Sequence, residues 1–303
     1  MKIPSTVFLM LSLALAACAG ADLPGNPPRD RFDAYWYPHG AEISRFELEQ
    51  ARYGNLHKGD AVLIFVTESL NPETRIKADR PGPLDVPVLK LNATRKFYTG
   101  IYPYSIMTST FTPVDPDEGL PMKISTSVQE WCGHVYIQLT LEGGRYRVRT
   151  HSYFESDGES RYEMAPVIPE DALWNRIRIA PADLPVGRFP IIPGTLFSRF
   201  AHQTLDEEAA VGRVSAGEGR SLEGNPLLRY EIRYPDGRRR LAIVFEEAFP
   251  HRIQRWEETQ PGLDGELLTT RAERTHTLMI DYWNHHAPRD RDLLQKLGLT
   301  ARP

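Results

Sequence analysis

Residues 227–247 read LLRYEIRYPDGRRRLAIVFEE. Leu228, Tyr230 and Ile232 alternate with polar residues, and Leu241, Ile243 and Phe245 alternate again after Pro235-Asp236-Gly237. A period of two puts every second side chain on the same face of a strand, and Pro-Asp-Gly reverses the chain, so the segment predicts an antiparallel hairpin. Arg238, Arg239 and Arg240 then belong to a solvated flank of that hairpin.

The same grammar extends in both directions. AEISRFELEQARYG (41–54) alternates as a strand, NLHKG (55–59) is expected to turn the chain, and Ala61–Glu68 is a β-branched strand. The segments 86–100 and 104–114 pair around Gly100-Ile101-Tyr102-Pro103. KISTSVQEWCGHVYIQLTL (123–141) reads as one strand, followed by a Glu142-Gly143-Gly144 turn, RYRVRTHSYFE and a Ser156-Asp157-Gly158 loop. HRIQRWEETQ, with Trp256 assigned to the core, and LLTTRAERTHTLMIDYW continue the pattern on either side of Pro261-Gly262. Helical signals are confined to Pro169–Ile177 and to RDRDLLQKLGL, where Leu293, Leu294 and Leu297 share a face. Pro181, Pro185, Pro190 and Pro193 are expected to break regular structure, placing a crossover between two halves near 180–195. The expected fold is mainly β and antiparallel, a strongly curved sheet being one form, with short helices in the middle and at the C-terminus.

The 303 residues carry a net charge of −4 without a basic tract, which argues against nucleic acid as a partner. At the N-terminus, Lys2 precedes an apolar run, Val7–Ala17, that is shorter than the ~20 residues of a spanning helix and has the form of a secretory leader. Leu15-Ala16-Ala17-Cys18 resembles the lipobox of bacterial lipoproteins. That resemblance implies cleavage before Cys18, diacylglycerol on its thiol and a further acyl chain, such as palmitate, on its amine. One acyl chain holds a protein only marginally, two or more hold it stably. Ala19 in place of aspartate favours, by the same resemblance, the periplasmic face of the outer membrane. The expected organisation is a leader at 1–17, a flexible tether at 18–30 and a globular region at 31–303. Lipidation of Cys18 leaves Cys132 as the second of two cysteines, so no disulfide forms within the chain.

Cys132 sits in Glu130-Trp131-Cys132-Gly133-His134-Val135-Tyr136. On a continuous strand Glu130, Cys132, His134 and Tyr136 share one face, and His151 on the next strand can pair across from them. This face is the candidate ligand site. The same residues open a second possibility, a hydrolase using Cys132 with His134 or His151. Neighbours two apart lie ~6.5–7 Å from each other along a strand, beyond a Cys–His hydrogen bond, so a small buried cysteine on a central strand is the expectation, with Trp131 buried on the opposite face. No catalytic residue is assigned. The sequence holds no G-x-S-x-G, P-loop, G-x-G-x-x-G or H-E-x-x-H, and no Cys/His spacing for zinc. No cofactor or metal is expected; His285-His286 and the Glu246-Glu247 and Glu257-Glu258 pairs are read as non-catalytic.

The phrases AEISRFELEQARYG, AVLIFVTE, VLKLNATRKFYTGIYPYSIM, STSVQEWCGHVYIQL and HSYFE resemble a family of uncharacterised bacterial envelope lipoproteins. Its members often carry the label septum formation inhibitor Maf. The Ser-x-Ser-Pro-Arg-Arg signature of Maf nucleotide pyrophosphatases does not occur here, so the resemblance implies the envelope and no mechanism. The strand aromatics Tyr98, Tyr102 and Tyr104 favour an envelope protein that binds a small molecule, a lipid, a glycan or an envelope protein partner.

Overall fold

The computed structural model describes residues 20–155, 157–262 and 265–299. Eight strands form a first meander: β1 (Ala41–Arg52), β2 (Asn55–Leu70), β3 (Val86–Thr99), β4 (Tyr102–Pro113), β5 (Lys123–Glu130), β6 (Gly133–Glu142), β7 (Arg145–Ser152) and β8 (Ser160–Met164). Six form a second: β9 (Gly187–Ile191), β10 (Glu208–Arg220), β11 (Pro226–Arg233), β12 (Arg240–Glu246), β13 (Ile253–Pro261) and β14 (Leu267–Ile280). β1 pairs with β14, from Ala41 opposite Ile280 to Glu49 opposite Arg271, and so joins both meanders into one antiparallel sheet. The described residues thus form a mainly β protein, with four short α-helices.

The sheet is rolled. β3 and β13 lie four strand steps apart, about 19 Å on a flat sheet at ~4.8 Å per step. Yet Arg95 of β3 and Glu258 of β13 make a two-pronged ion pair with both bonds at 2.7 Å. The edges β8 and β9 do not pair with each other. The crossing segment bridges them instead: Tyr162 of β8 donates to the carbonyl of Leu205, just ahead of β10.

The same segment fills the interior. Helix α2 (Leu173–Ile179) inserts Asn175, whose amide donates to the carbonyls of Leu89 and Thr110 and to Thr112 Oγ1. Trp174 meets Trp256 edge-on at 5.2 Å. Arg178 is wholly buried, paired with Glu42 at 2.7 Å and stacked over Trp36 and Phe65. Helix α1 (Arg29–Trp36) supplies that tryptophan and closes this end of the roll. A further helix, α3 (Thr195–Ala201), plugs the opposite end. Outside, Leu297, which follows helix α4 (Asp292–Lys296), packs with Ile43 and Val66.

Several expectations need correction. The chain turns between β1 and β2 at Tyr53-Gly54, both with positive φ, and NLHKG lies within β2; such a two-residue turn matches strand twist. Segment 123–141 is a hairpin that reverses at Trp131-Cys132, and β6 lies third from the sheet edge, away from its centre. The proline-rich crossover contains β9, because Pro190 lies on an edge strand whose strand partner is β10, where a missing N–H is tolerated. The expected tether is docked before residue 30: Asn26 bonds the Ala182 amide and Asp183, and α1 begins at Arg29. Arg239 is buried in the interior, where acidic partners await it.

Candidate functional site

The five residues first singled out do not share a face. Glu130 ends β5 pointing inward and is buried; its Oε2 accepts the Cys132 backbone N–H at 2.7 Å, which ties the turn. Cys132 stands exposed on that turn, correcting the buried strand position. Its hydrogen bond to Glu130, and the negative charge there, raise the thiol above its ordinary pKa, the opposite of what a nucleophile needs. Trp131 is 68% exposed. His134 points outward opposite Gln129. Tyr136 and His151 are register partners on the outer face; the tyrosine hydroxyl donates to Gln138 Oε1 at 2.8 Å, and His151 Nδ1 lies 3.6 Å from Glu159. Gly133 is required where it stands, since a Cβ would come 2.5 Å from the ring of Tyr153.

Consecutive turns of a meander alternate between its two ends. The turns at 53–54, 100–101 and 131–132, and those joining β7–β8, β11–β12 and β13–β14, therefore gather at one end, around α3. Between α3 and the β1–β2 and β13–β14 turns lies a vestibule of about 360 Å³. Its walls include Phe197, Phe200, Pro261 and Leu268, with Arg52 and Arg238 as cations.

The two arginines differ. Arg238 is satisfied by Glu208, Asp236 and Gln203. Arg52 donates to the carbonyl of Phe200 at 3.1 Å and lies 4.3 Å over the rings of both Tyr53 and Phe200. Its Nε is buried without a partner, and among the described residues no carboxylate comes within ion-pair distance of it. Tyr53 and Tyr104 share a hydrogen bond of 2.8 Å beside it. Burial works to raise the Tyr53 phenol, but the bonds to Tyr104 and Tyr102 and the Arg52 charge outweigh it and leave the group below its ordinary value.

Phe197 and Phe200 separate the vestibule from a small interior cavity of about 40 Å³. That space has room for a few water molecules. Around it Arg95 binds Glu258 and Gln50, and Arg239 binds Glu170, with Glu258 a further 3.8 Å away. Burial opposes ionisation of Glu258, but Arg95 and then Arg239 hold it down to about 2. Asp171 lacks such a cation at contact. Its Oδ2 accepts from the Thr195 N–H at 2.9 Å and hydroxyl at 2.8 Å, at the first turn of α3, and desolvation pushes its carboxyl up to about 6. Among the described residues no three metal-ligating side chains converge.

Arg52 and α3 escaped the sequence reading. Arg52 ends an alternating strand like any solvated charge, and nothing local marks Phe197 and Phe200 as vestibule walls. No protein-family model and no curated protein sequence matches the chain. Among solved structures the chain is similar to a β-barrel-like protein of the domain of unknown function DUF1849 from Brucella abortus. The TM-score is 0.48 at 11% identity, over 80% of this chain and 98% of that one.

Proposed function

We propose that this protein is an envelope lipoprotein, anchored through Cys18 at the periplasmic face of the outer membrane, that binds an amphiphile with an anionic head and an apolar body. Its place among the envelope lipoproteins rests on the lipobox and on the phrases shared with them. Arg52 carries the reading of the site: a guanidinium with no carboxylate at ion-pair distance among the described residues, on an apolar-walled space of ligand size. Pockets of ~300–1,000 Å³ suit small molecules. A carboxylate or phosphate would supply the charge that Arg52 lacks through short, charge-assisted hydrogen bonds. Phe197, Phe200 and Leu268 would cover the apolar body.

The binding test is displacement of a fluorescent fatty acid by a single-chain carboxylate and by the matching alcohol. The carboxylate is expected to bind the parent and to lose about tenfold or more in Arg52→Gln, since a charged hydrogen bond is worth ~1.5–3 kcal/mol. Equal binding of acid and alcohol, or unchanged binding by Arg52→Gln at unchanged thermal midpoint, would sink the proposal. The anchor is tested separately: Cys18→Ser should lose acyl-chain labelling, and retention of label places the lipid elsewhere.

A further inference from the structure

We infer that three neighbouring hairpin tips at the α3 end dock onto the interfacial layer of a phospholipid bilayer. β1 to β6 are consecutive in the sheet, so the turns β1–β2, β3–β4 and β5–β6 stand side by side. They carry exposed Tyr53 and Leu56, Tyr98 and Ile101, and Trp131. Ile101 is 80% exposed. Two-residue turns are best served by Asn, Asp and Gly, so Ile101 and Trp131 are not what turn geometry asks for, and in water they leave apolar surface wet.

Charge selects the partner. Across 51–56, 98–103 and 129–134 the one carboxylate is Glu130, which is buried and bonded to the Cys132 amide. Arg52 and His134 stand in these same stretches; behind them exposed Lys58 and Lys96 face Glu49 and Asp60 in register, so the acids begin only below the tips. The remaining tips at this end differ: 153–159 holds Glu155, Asp157 and Glu159, the β11–β12 turn holds Asp236, and the β13–β14 turn holds Asp264 and Glu266. Acidic side chains are costly to bring to hydrocarbon, whereas Trp and Tyr favour the membrane–water boundary and Lys and Arg reach from it toward headgroups. An aromatic patch whose tips expose no acid and carry Arg52 has the chemistry of an interfacial anchor. Asn26 and α1 sit at the opposite end of the roll. The patch shares Arg52 and Tyr53 with the vestibule, and an amphiphile could pass from bilayer to vestibule without crossing water; this last point rests on the function proposed above, while the docking itself does not.

The test uses the full chain reconstituted into phospholipid vesicles. Bromine-bearing acyl chains quench nearby tryptophan and are placed either in the host vesicles or only in a second, added population. Emission from Trp131 is taken as the difference between the parent and Trp131→Phe. Quenching is expected in one of the two arms, stronger with anionic lipid, and lost in Ile101→Glu without a change in thermal midpoint. Unquenched Trp131 in both arms overturns the inference, as does quenching indifferent to Ile101→Glu or shielding of Trp131 by added envelope protein alone. Ile101 does not line the vestibule, so fatty-acid binding by Ile101→Glu separates the two proposals: retained binding with lost quenching supports docking, and failed binding in the parent strikes only the ligand.

Discussion

Replacing Asp171 by asparagine should stabilise the protein at neutral pH. The carboxyl is raised from 3.8 to about 6, chiefly by desolvation, while Thr195 opposes the rise with two hydrogen bonds. A shift of roughly two units at ~1.4 kcal/mol each sets a ceiling of about 3 kcal/mol on the cost of keeping the charge. Asp171 retains some accessible surface at the cavity it lines, so about 1–3 kcal/mol is the expected gain. The folded state holds the proton more tightly than the unfolded chain. Stability from this group is therefore full below about pH 4 and is lost as pH rises through about 6. Asparagine keeps an oxygen for the Thr195 donors and removes the titration. Urea melts of parent and Asp171→Asn at several pH values between 4 and 8 measure the effect. The variant should be the more stable at pH 7.5, with the difference closing as pH falls toward 4. A variant less stable at every pH, or a difference independent of pH, would show that Asp171 is held as a carboxylate by contacts outweighing its desolvation.

Two more expectations follow from burial. Arg95→Ala or Glu258→Ala leaves a buried charge without its partner and should cost about 3–5 kcal/mol, whereas Arg95→Met with Glu258→Leu should recover most of it; urea melts of all three decide this. Trp131→Ala should change stability by no more than about 0.5 kcal/mol because the ring lies on an exposed tip, and a loss of several kcal/mol in thermal unfolding would place it in a core. Cys132 should react slowly with an alkylating reagent at pH 7 and faster as pH rises through the raised thiol pKa, in the folded protein without denaturant.

Much of the β architecture was legible because alternation, Gly and Pro are local signals. Leu228, Tyr230 and Ile232 opposite Phe245, Ile243 and Leu241 are paired around the Pro-Asp-Gly turn as their spacing demands. Gly143-Gly144 reverses β6 into β7, a helix follows Pro169, and Trp256 lies in the core. Where the reading slipped, the local signal was itself ambiguous. Trp131-Cys132 carries no turn residue before Gly133, and β propensity on both sides made one strand of two.

Pairwise placement across the roll had no local signature. Arg95 and Glu258 are 163 residues apart, and neither segment names the other. A run of three arginines after a turn reads as solvated in any extended strand; only the curvature that brings Glu170 and Glu258 inside makes Arg239 a buried ion. The chain by itself determined the period of two, the turns and therefore the antiparallel sheet, because those depend on neighbours in sequence. Tertiary structure decided which face became the interior, that α3 plugs one end, and that Arg52 faces a vestibule with no carboxylate at ion-pair distance among the described residues, because rolling a sheet sets charges and apolar walls together by distance in space.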